Sequence, residues 1–110
     1  MKFIKKSRSY LVGLKKNIKI DFLGFLNLRK NEAITLKCSS SKNDICKKGW
    51  GFYLTGSTNR RLKNEGLKAG LMVNSSGDKY LVLVNKRKLK EFRSYCKNEK
   101  QSVITWFDTK

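Results

Sequence analysis

Alternating apolar and polar residues predict that β-strands make up most of this chain. Residues 18–22 (IKIDF) alternate most cleanly, with apolar side chains at every second position. Gly24 indicates a bend or bulge, after which residues 25–28 (FLNL) continue the strand. Further strands are predicted at 9–14, 33–38, 49–55 and 102–107, and residues 70–85 (GLMVNSSGDKYLVLVN) are typical of a hairpin around a polar turn.

The hydrophobic spacing changes to a helical period in two places. A short helix is predicted over 58–65, because Ser57 or Thr58 can cap its start and Gly66 suits the left-handed residue after its end. A longer helix is predicted over 86–98, where apolar residues recur at i, i+3 and i+7. Those apolar residues are Leu89, Phe92 and Cys96.

These elements predict the α+β class, with residues 1–110 as a single small basic domain. We expect one twisted, mainly antiparallel sheet of about six to seven strands, with both helices packed on one face. Residues 80–84 (YLVLV) are apolar at every position, which predicts a central strand covered on both sides. Residues 39–44 (SSSKND) are entirely polar, which predicts a loop with a mobile tip.

Charge is the most informative feature of the composition. The chain carries 26 Lys and Arg against 8 Asp and Glu, a formal net charge of +18. Such an imbalance opposes compaction through self-repulsion, which points to a polyanionic partner. Nucleic acid, either RNA or DNA, is the favoured partner, and an acidic protein is the alternative. Because the apolar runs are too short to cross a membrane and the first residues lack a signal-peptide pattern, no membrane partner is expected and the cytoplasm is the expected compartment.

Cysteine and histidine usage restricts the chemistry. Cys38, Cys46 and Cys96 are an odd number without a C-x-x-C pair, so free thiols are expected, although a Cys38–Cys46 bridge stays open. The chain contains no histidine, which excludes Ser-His and Cys-His nucleophiles and His-ligated metals. We therefore predict no metal, no cofactor and no catalytic residue.

Residues 48–52 (KGWGF) resemble the K-G-F-G-F pattern of cold-shock domains, whose strand aromatics stack on bases. The resemblance covers this short stretch alone and implies that Trp50 and Phe52 stack on bases. Cold-shock domains are shorter and all-β, and their second aromatic motif is missing here. The alternative, which the strand pattern favours, is that Trp50 and Phe52 belong to the core face of the strand, with Tyr53 pointing outward.

A second candidate lies just after this strand, where residues 56–61 read GSTNRR. Glycine and capping hydroxyls before a helix leave backbone N–H groups that can bind a phosphate. Arg60 and Arg61 lie in the first helical turn, where positive charge opposes the helix dipole. Their unfavourable position favours a role in phosphate contact, and the alternative is a plain solvated helix start.

The longer helix carries a third candidate, a basic stripe with members at i, i+4, i+7 and i+11. These residues are Lys86, Lys90, Arg93 and Lys97, with Arg87 and Lys88 beside them. Glu91 is the one acidic residue between 86 and 97. This local imbalance favours contact with nucleic acid over simple solvation.

Two resemblances to nucleases define the enzymatic alternatives. Residues 77–107 resemble the strand–helix–strand element of PD-(D/E)xK nucleases, which implies a carboxylate-bound metal, yet the corresponding triplet at 84–86 (VNK) has no carboxylate. RelE-like toxins cleave RNA without a metal, through Lys, Arg and Tyr side chains, although they carry helices near the N-terminus where strands are predicted here. This second resemblance would assign the reaction to Arg60, Arg61, Lys86, Arg87 and Tyr95.

The sequence therefore predicts a small non-enzymatic protein that binds RNA or DNA mainly through phosphates, with low sequence specificity and strong salt dependence. Its size, missing histidine and lysine excess are typical of a phage or mobile-element accessory protein. A basic inhibitor or adaptor that docks on an acidic host protein is the first alternative, and a RelE-like ribonuclease is the second. The predicted nucleic-acid-binding residues are Lys47, Lys48, Tyr53, Ser57, Thr58, Arg60, Arg61, Lys86, Arg87, Lys90, Arg93 and Lys97, with Trp50 and Phe52 as candidate stacking residues.

Overall fold

The computed structural model of the protein describes residues 1–108. Within them the chain forms eight strands, two short α-helices and one turn of 3₁₀ helix. In chain order these are β1 (Lys2–Val12), β2 (Ile18–Asn27), β3 (Ala33–Cys38), β4 (Ser41–Lys48), β5 (Gly51–Leu54), α1 (Arg61–Asn64), β6 (Leu67–Val73), β7 (Lys79–Asn85), the 3₁₀ turn (Lys86–Lys88), α2 (Leu89–Asn98) and β8 (Ser102–Trp106). The predicted α+β class is confirmed, whereas the predicted count of six to seven strands is wrong.

The strands form three sheets rather than the single sheet that was predicted. Their strand orders are β1-β2, β3-β4-β5 and β7-β6-β8. The pairs β1–β2, β6–β7 and β6–β8 are all antiparallel. By its internal contacts the chain divides into two compact units, the first comprising residues 1–33 and 46–53 and the second comprising residues 34–45 and those from 54 onward.

The additional strand is β4, which begins inside the segment predicted to be a polar loop. Its polar residues alternate in burial as apolar residues do in an ordinary strand, because Ser41 and Asn43 are buried while Lys42 is exposed. The Ser41 hydroxyl donates to the backbone carbonyl of Glu65 at 2.6 Å, and the Asn43 amide oxygen accepts from the Gly56 N–H at 3.0 Å. Buried polar groups are tolerated when they have such partners, so serine and asparagine stabilise a strand here instead of a loop.

The first unit contains the long hairpin β1–β2, whose register runs from Lys2 opposite Asn27 to Val12 opposite Ile18. The predicted irregularity at Gly24 is confirmed, because the register shifts within β1 between Lys5 and Arg8. Gly24 adopts a φ of +145°, and a Cβ placed there would lie 2.2 Å from the Ile4 carbonyl oxygen. No side chain larger than hydrogen fits this position.

The second unit is built around β6, which pairs with β7 on one side and β8 on the other. Residues 80–84 were predicted to be central, but they lie in β7 at the edge of the sheet, and Leu81 is 80% exposed. An apolar run does not reveal how many hydrogen-bonded neighbours a strand has. Here β6 carries more buried residues than β7, in which Val84 and Asn85 are buried. A cluster of Leu62, Leu67 and Ala69 forms the core.

The short helix α1 occupies Arg61–Asn64, fewer residues than the predicted 58–65. Residues 58–60 form a turn instead, because the Arg60 and Leu62 N–H groups both donate to the Ser57 carbonyl. Leu62 is the buried residue of this helix. Burial of this one leucine packs α1 against the rest of the second unit.

The longer helix was predicted over 86–98, and its first three residues form the 3₁₀ turn before α2 begins at Leu89. Asn85, which is buried, caps this turn by accepting a hydrogen bond from the Arg87 N–H at 3.0 Å. All three cysteines are free thiols. Within residues 1–108 no helix is long and apolar enough to cross a membrane.

Candidate nucleic-acid interface

The structure distributes the predicted binding residues between the two units. Lys47, Lys48 and Tyr53 belong to the first unit, together with the candidate stacking residues Trp50 and Phe52. The other nine belong to the second unit. These are Ser57, Thr58, Arg60, Arg61, Lys86, Arg87, Lys90, Arg93 and Lys97.

The aromatic residues around β5 lie at the surface, so the interpretation that they fill the core is wrong. Trp50 is 74% exposed and Phe52 is 62% exposed. The reason is local: Trp50 lies in the turn before β5, and Gly51 adopts a φ of +144° that breaks the regular alternation of a strand. In addition, β5 is a four-residue strand at the edge of its sheet, where alternation does not guarantee a cover on either face.

The exposed rings make two separate contacts. Trp50 stacks on Tyr53, with ring centroids 6.0 Å apart and an interplanar angle of 26°. The Lys47 ammonium group lies 5.5 Å from the centroid of the Phe52 ring. We name the surface made by the stacked Trp50 and Tyr53 rings the aromatic platform. Phe52 precedes Tyr53 in β5, so its side chain projects from the opposite face of the strand.

Lys47 and Lys48 lie in β4, the strand that pairs with β5, and their charges are uncompensated within the described residues. The Lys47 ammonium donates to the backbone carbonyl of Lys48 at 2.6 Å, and the Lys48 ammonium donates to the amide oxygen of Asn31 at 2.8 Å. Backbone hydrogen bonds from Asn31 to Lys47 and from Lys47 to Glu32 hold this segment in place. Neither ammonium group forms an ion pair with a carboxylate in residues 1–108.

Tyr53 is linked to the buried thiol of Cys46. A hydrogen bond with the Cys46 sulfur, and next the charge of that sulfur when it ionises, raise the pKa of the Tyr53 phenol. The raised pKa favours the neutral phenol, so Tyr53 is uncharged at neutral pH. A neutral ring at this position adds no negative charge that would repel a phosphate.

Residues 56–61, which we name the GSTNRR corner, form hydrogen bonds through many of their own backbone groups. The Gly56 N–H donates to Asn43, and the Ser57 hydroxyl accepts from the Arg61 N–H at 3.2 Å. The Ser57 carbonyl accepts from the Arg60 and Leu62 N–H groups. The side chains of Arg60 and Arg61 are both exposed, so they are the main groups of the corner that a phosphate can contact.

The basic stripe is exposed along α2, with Lys90, Arg93 and Lys97 facing solvent. In the preceding 3₁₀ turn, Lys86 is half-buried, and the Arg87 guanidinium donates to the Ser40 hydroxyl at 2.7 Å. No ion pair neutralises any of these five side chains within the described part of the chain. The face therefore carries a net positive charge that can interact with phosphates.

A groove of about 240 Å³ next to this stripe is a feature that sequence reasoning missed. Phe92 and Trp106 line it, with their rings in an edge-to-face arrangement 5.8 Å apart. Lys68 and Arg93 also line it, and the Lys68 ammonium lies 4.6 Å from the centroid of the Trp106 ring. Lys68 was overlooked because it lies in a strand with no local basic pattern, and only the β6–β8 pairing brings it to Trp106.

The residues of the two enzymatic alternatives also lie within residues 1–108. No described contact joins the residues that a RelE-like ribonuclease would use, so that alternative stays a prediction. Within residues 1–108 no group of three His, Cys, Asp or Glu side chains is placed to hold a metal ion. Comparisons of the chain with protein families, with characterised proteins and with solved structures found no significant match.

Proposed function

We propose that this protein binds single-stranded nucleic acid, RNA or DNA, by stacking bases on the aromatic platform and by contacting phosphates with its surface lysines and arginines. The observation that carries this proposal is the exposure of Trp50, which is 74% accessible although tryptophan is among the costliest side chains to leave in water. Its stacking on Tyr53, in a strand whose neighbour carries two lysines without ion pairs in residues 1–108, combines the two elements of a base-stacking surface.

Stacking on this platform requires a base with a free face. Bases inside a duplex are already stacked on their neighbours, whereas the bases of a single strand can be splayed onto aromatic rings. An exposed tryptophan–tyrosine pair at the start of β5 therefore favours a single strand over a duplex. Because every base has a π-face, this contact discriminates little between sequences.

Phosphate contacts supply the remaining affinity. The formal net charge of +18 attracts any polyanion, and the basic stripe of α2 presents part of that charge without an ion pair in residues 1–108. An acidic protein would be attracted by the same charge, and exposed tryptophan and tyrosine residues also act as anchors in protein interfaces. The two partners differ in how binding responds to salt and to nuclease treatment.

The salt dependence of binding tests the phosphate contacts of Lys47 and Lys48. We expect the logarithm of the association constant for a single-stranded oligonucleotide to fall linearly with the logarithm of the salt concentration. Each lysine that contacts a phosphate contributes about 0.7 to the slope on a single strand, so the double variant Lys47→Ala/Lys48→Ala should have a slope smaller by about 1.4. Fluorescence anisotropy of a labelled oligonucleotide measures this directly.

Lys63→Ala provides the matched control, because Lys63 is an exposed lysine of α1 outside the predicted set. Its slope should equal that of the wild type. Equal slopes for the wild type and the double variant would remove Lys47 and Lys48 from the interface. If the purified protein instead retains one stoichiometric protein partner after nuclease treatment, the acidic-protein alternative replaces the proposed function.

A further inference from the structure

A polar cavity of about 360 Å³ lies in the second unit, lined by residues of β3, β4 and α1. Its volume is within the range of sites that hold small molecules. The charged and amide residues of its lining are Lys37, Lys42, Asn43, Asp44, Arg61 and Glu65. Apart from Arg61, none of them belongs to the predicted nucleic-acid-binding set.

Asn43 lies deepest in this lining, because it is 6% exposed. Its amide oxygen accepts the hydrogen bond from the Gly56 N–H, which settles the orientation of the amide group. The amide nitrogen is therefore a donor, and within residues 1–108 it is buried without a hydrogen-bond partner. Such a donor is stabilised when an acceptor from a ligand reaches it.

Gly56 is the residue that makes this arrangement possible. A Cβ placed at Gly56 would lie 2.8 Å from the Asn43 amide oxygen, closer than a real Cβ contact allows. Any larger residue at 56 would push the Asn43 side chain out of its position. The backbone N–H of Gly56 and its lack of a side chain therefore both fix the position of the Asn43 amide.

Three cations line the cavity without a carboxylate partner in the described part of the chain. Lys37, Lys42 and Arg61 are exposed, and none forms an ion pair within 4.0 Å. The carboxylates are less accessible, since Asp44 and Glu65 are half-buried, and the Asp44 carboxylate accepts a hydrogen bond from the Thr35 hydroxyl. The cations therefore lie toward solvent, and the carboxylates and the Asn43 amide lie deeper.

We propose that this cavity binds a phosphorylated sugar. The phosphate contacts Lys37, Lys42 and Arg61, because three unpaired cations suit a doubly charged phosphate monoester. The sugar hydroxyls donate to the Asp44 and Glu65 carboxylates, and the Asn43 amide nitrogen donates to a sugar oxygen. A phosphate without hydroxyl groups would meet two repelling carboxylates, whereas an uncharged sugar would leave three cations unused.

Two kinds of ligand carry such a phosphorylated sugar: a free nucleoside monophosphate and the phosphorylated 5′ end of a nucleic-acid strand. Both present a phosphate monoester attached to a ribose or deoxyribose. The inference does not rest on the proposed function, because none of the residues of the aromatic platform lines the cavity.

Titration with adenosine 5′-monophosphate, followed by ¹H–¹⁵N NMR, tests the site. We expect saturable shifts that include the side-chain amide of Asn43, with binding weakened at least tenfold in Arg61→Ala. Arg60→Ala is the matched control, because Arg60 is an adjacent exposed arginine that does not line the cavity, and it should change the affinity less than twofold. Trp50→Ala should leave this binding unchanged, so failure of one proposal does not imply failure of the other.

Comparison of an oligonucleotide carrying a 5′-phosphate with the same oligonucleotide carrying a 5′-hydroxyl distinguishes the two sources. Tighter binding of the phosphorylated strand, lost in Arg61→Ala, would identify the strand end as the ligand. Equal binding of both strands, with saturable binding of the monophosphate, would identify a free nucleotide. The proposal is overturned if the monophosphate does not bind, if inorganic phosphate binds as tightly, or if Arg60→Ala and Arg61→Ala weaken binding equally.

Discussion

Leu62→Ala is expected to lower the free energy of unfolding by about 2–5 kcal/mol. Leu62 is 1% exposed and forms the core cluster with Leu67 and Ala69. It is also the one buried residue of α1, a helix too short to be stable without tertiary contacts. Since small domains are stable by about 5–15 kcal/mol in total, this loss should be visible in urea denaturation as a large shift of the midpoint.

Leu81→Ala is the matched control for this experiment, because the same truncation is made at a leucine that is 80% exposed. It should change the free energy of unfolding by less than about 0.5 kcal/mol. Equal destabilisation by both variants would contradict the position of the core. It would also contradict the exposure of Leu81.

Trp50→Ala is expected to weaken binding of a single-stranded oligonucleotide by about 1–3 kcal/mol, the contribution of one base stacked on an aromatic ring. In affinity this is about a five- to 150-fold loss. The loss should be nearly independent of salt, because stacking releases no counterions, in contrast to the effect of the lysine variants. Stability should change little, since the ring is largely exposed in the free protein.

Two comparisons make the Trp50→Ala result specific. Tyr53→Phe keeps an aromatic ring under Trp50 and should retain most of the affinity for the oligonucleotide. Trp50→Phe keeps a smaller ring and should lose less affinity than Trp50→Ala. Unchanged affinity in Trp50→Ala would remove stacking from the proposal and leave phosphate contacts alone. Anisotropy titrations at a fixed salt concentration are sufficient for all three variants.

Much of the fold follows from local patterns. The alternation in residues 18–22, the turn at NSSGD and the helical spacing after residue 88 each determine an element without help from distant residues. In contrast, β4 is stabilised by a hydrogen bond that Ser41 donates to Glu65, 24 positions away, and one that Asn43 accepts from Gly56, 13 positions away. Those partners cannot be inferred from the sequence of β4 itself, which on local preference alone favours a loop.

The candidate sites were predictable to a smaller extent. Lysine and arginine density identifies the basic stripe of α2, because charge on a helix is visible in sequence spacing. The orientation of Trp50 depends on the positive φ of Gly51, which the strand pattern does not indicate. The polar cavity requires residues from three elements, and its defining feature, an unpartnered amide on Asn43, exists only after the chain has folded.

Tryptophan fluorescence in a Trp106→Phe variant tests the central claim most directly, because the chain contains two tryptophans and Trp50 is then the only one. The proposed stacking predicts an emission typical of an exposed indole, quenched in a saturable manner by a single-stranded oligonucleotide and restored by high salt. A blue-shifted emission that no oligonucleotide alters would place the ring in an apolar environment. That result would contradict both the exposure of Trp50 and its role in binding.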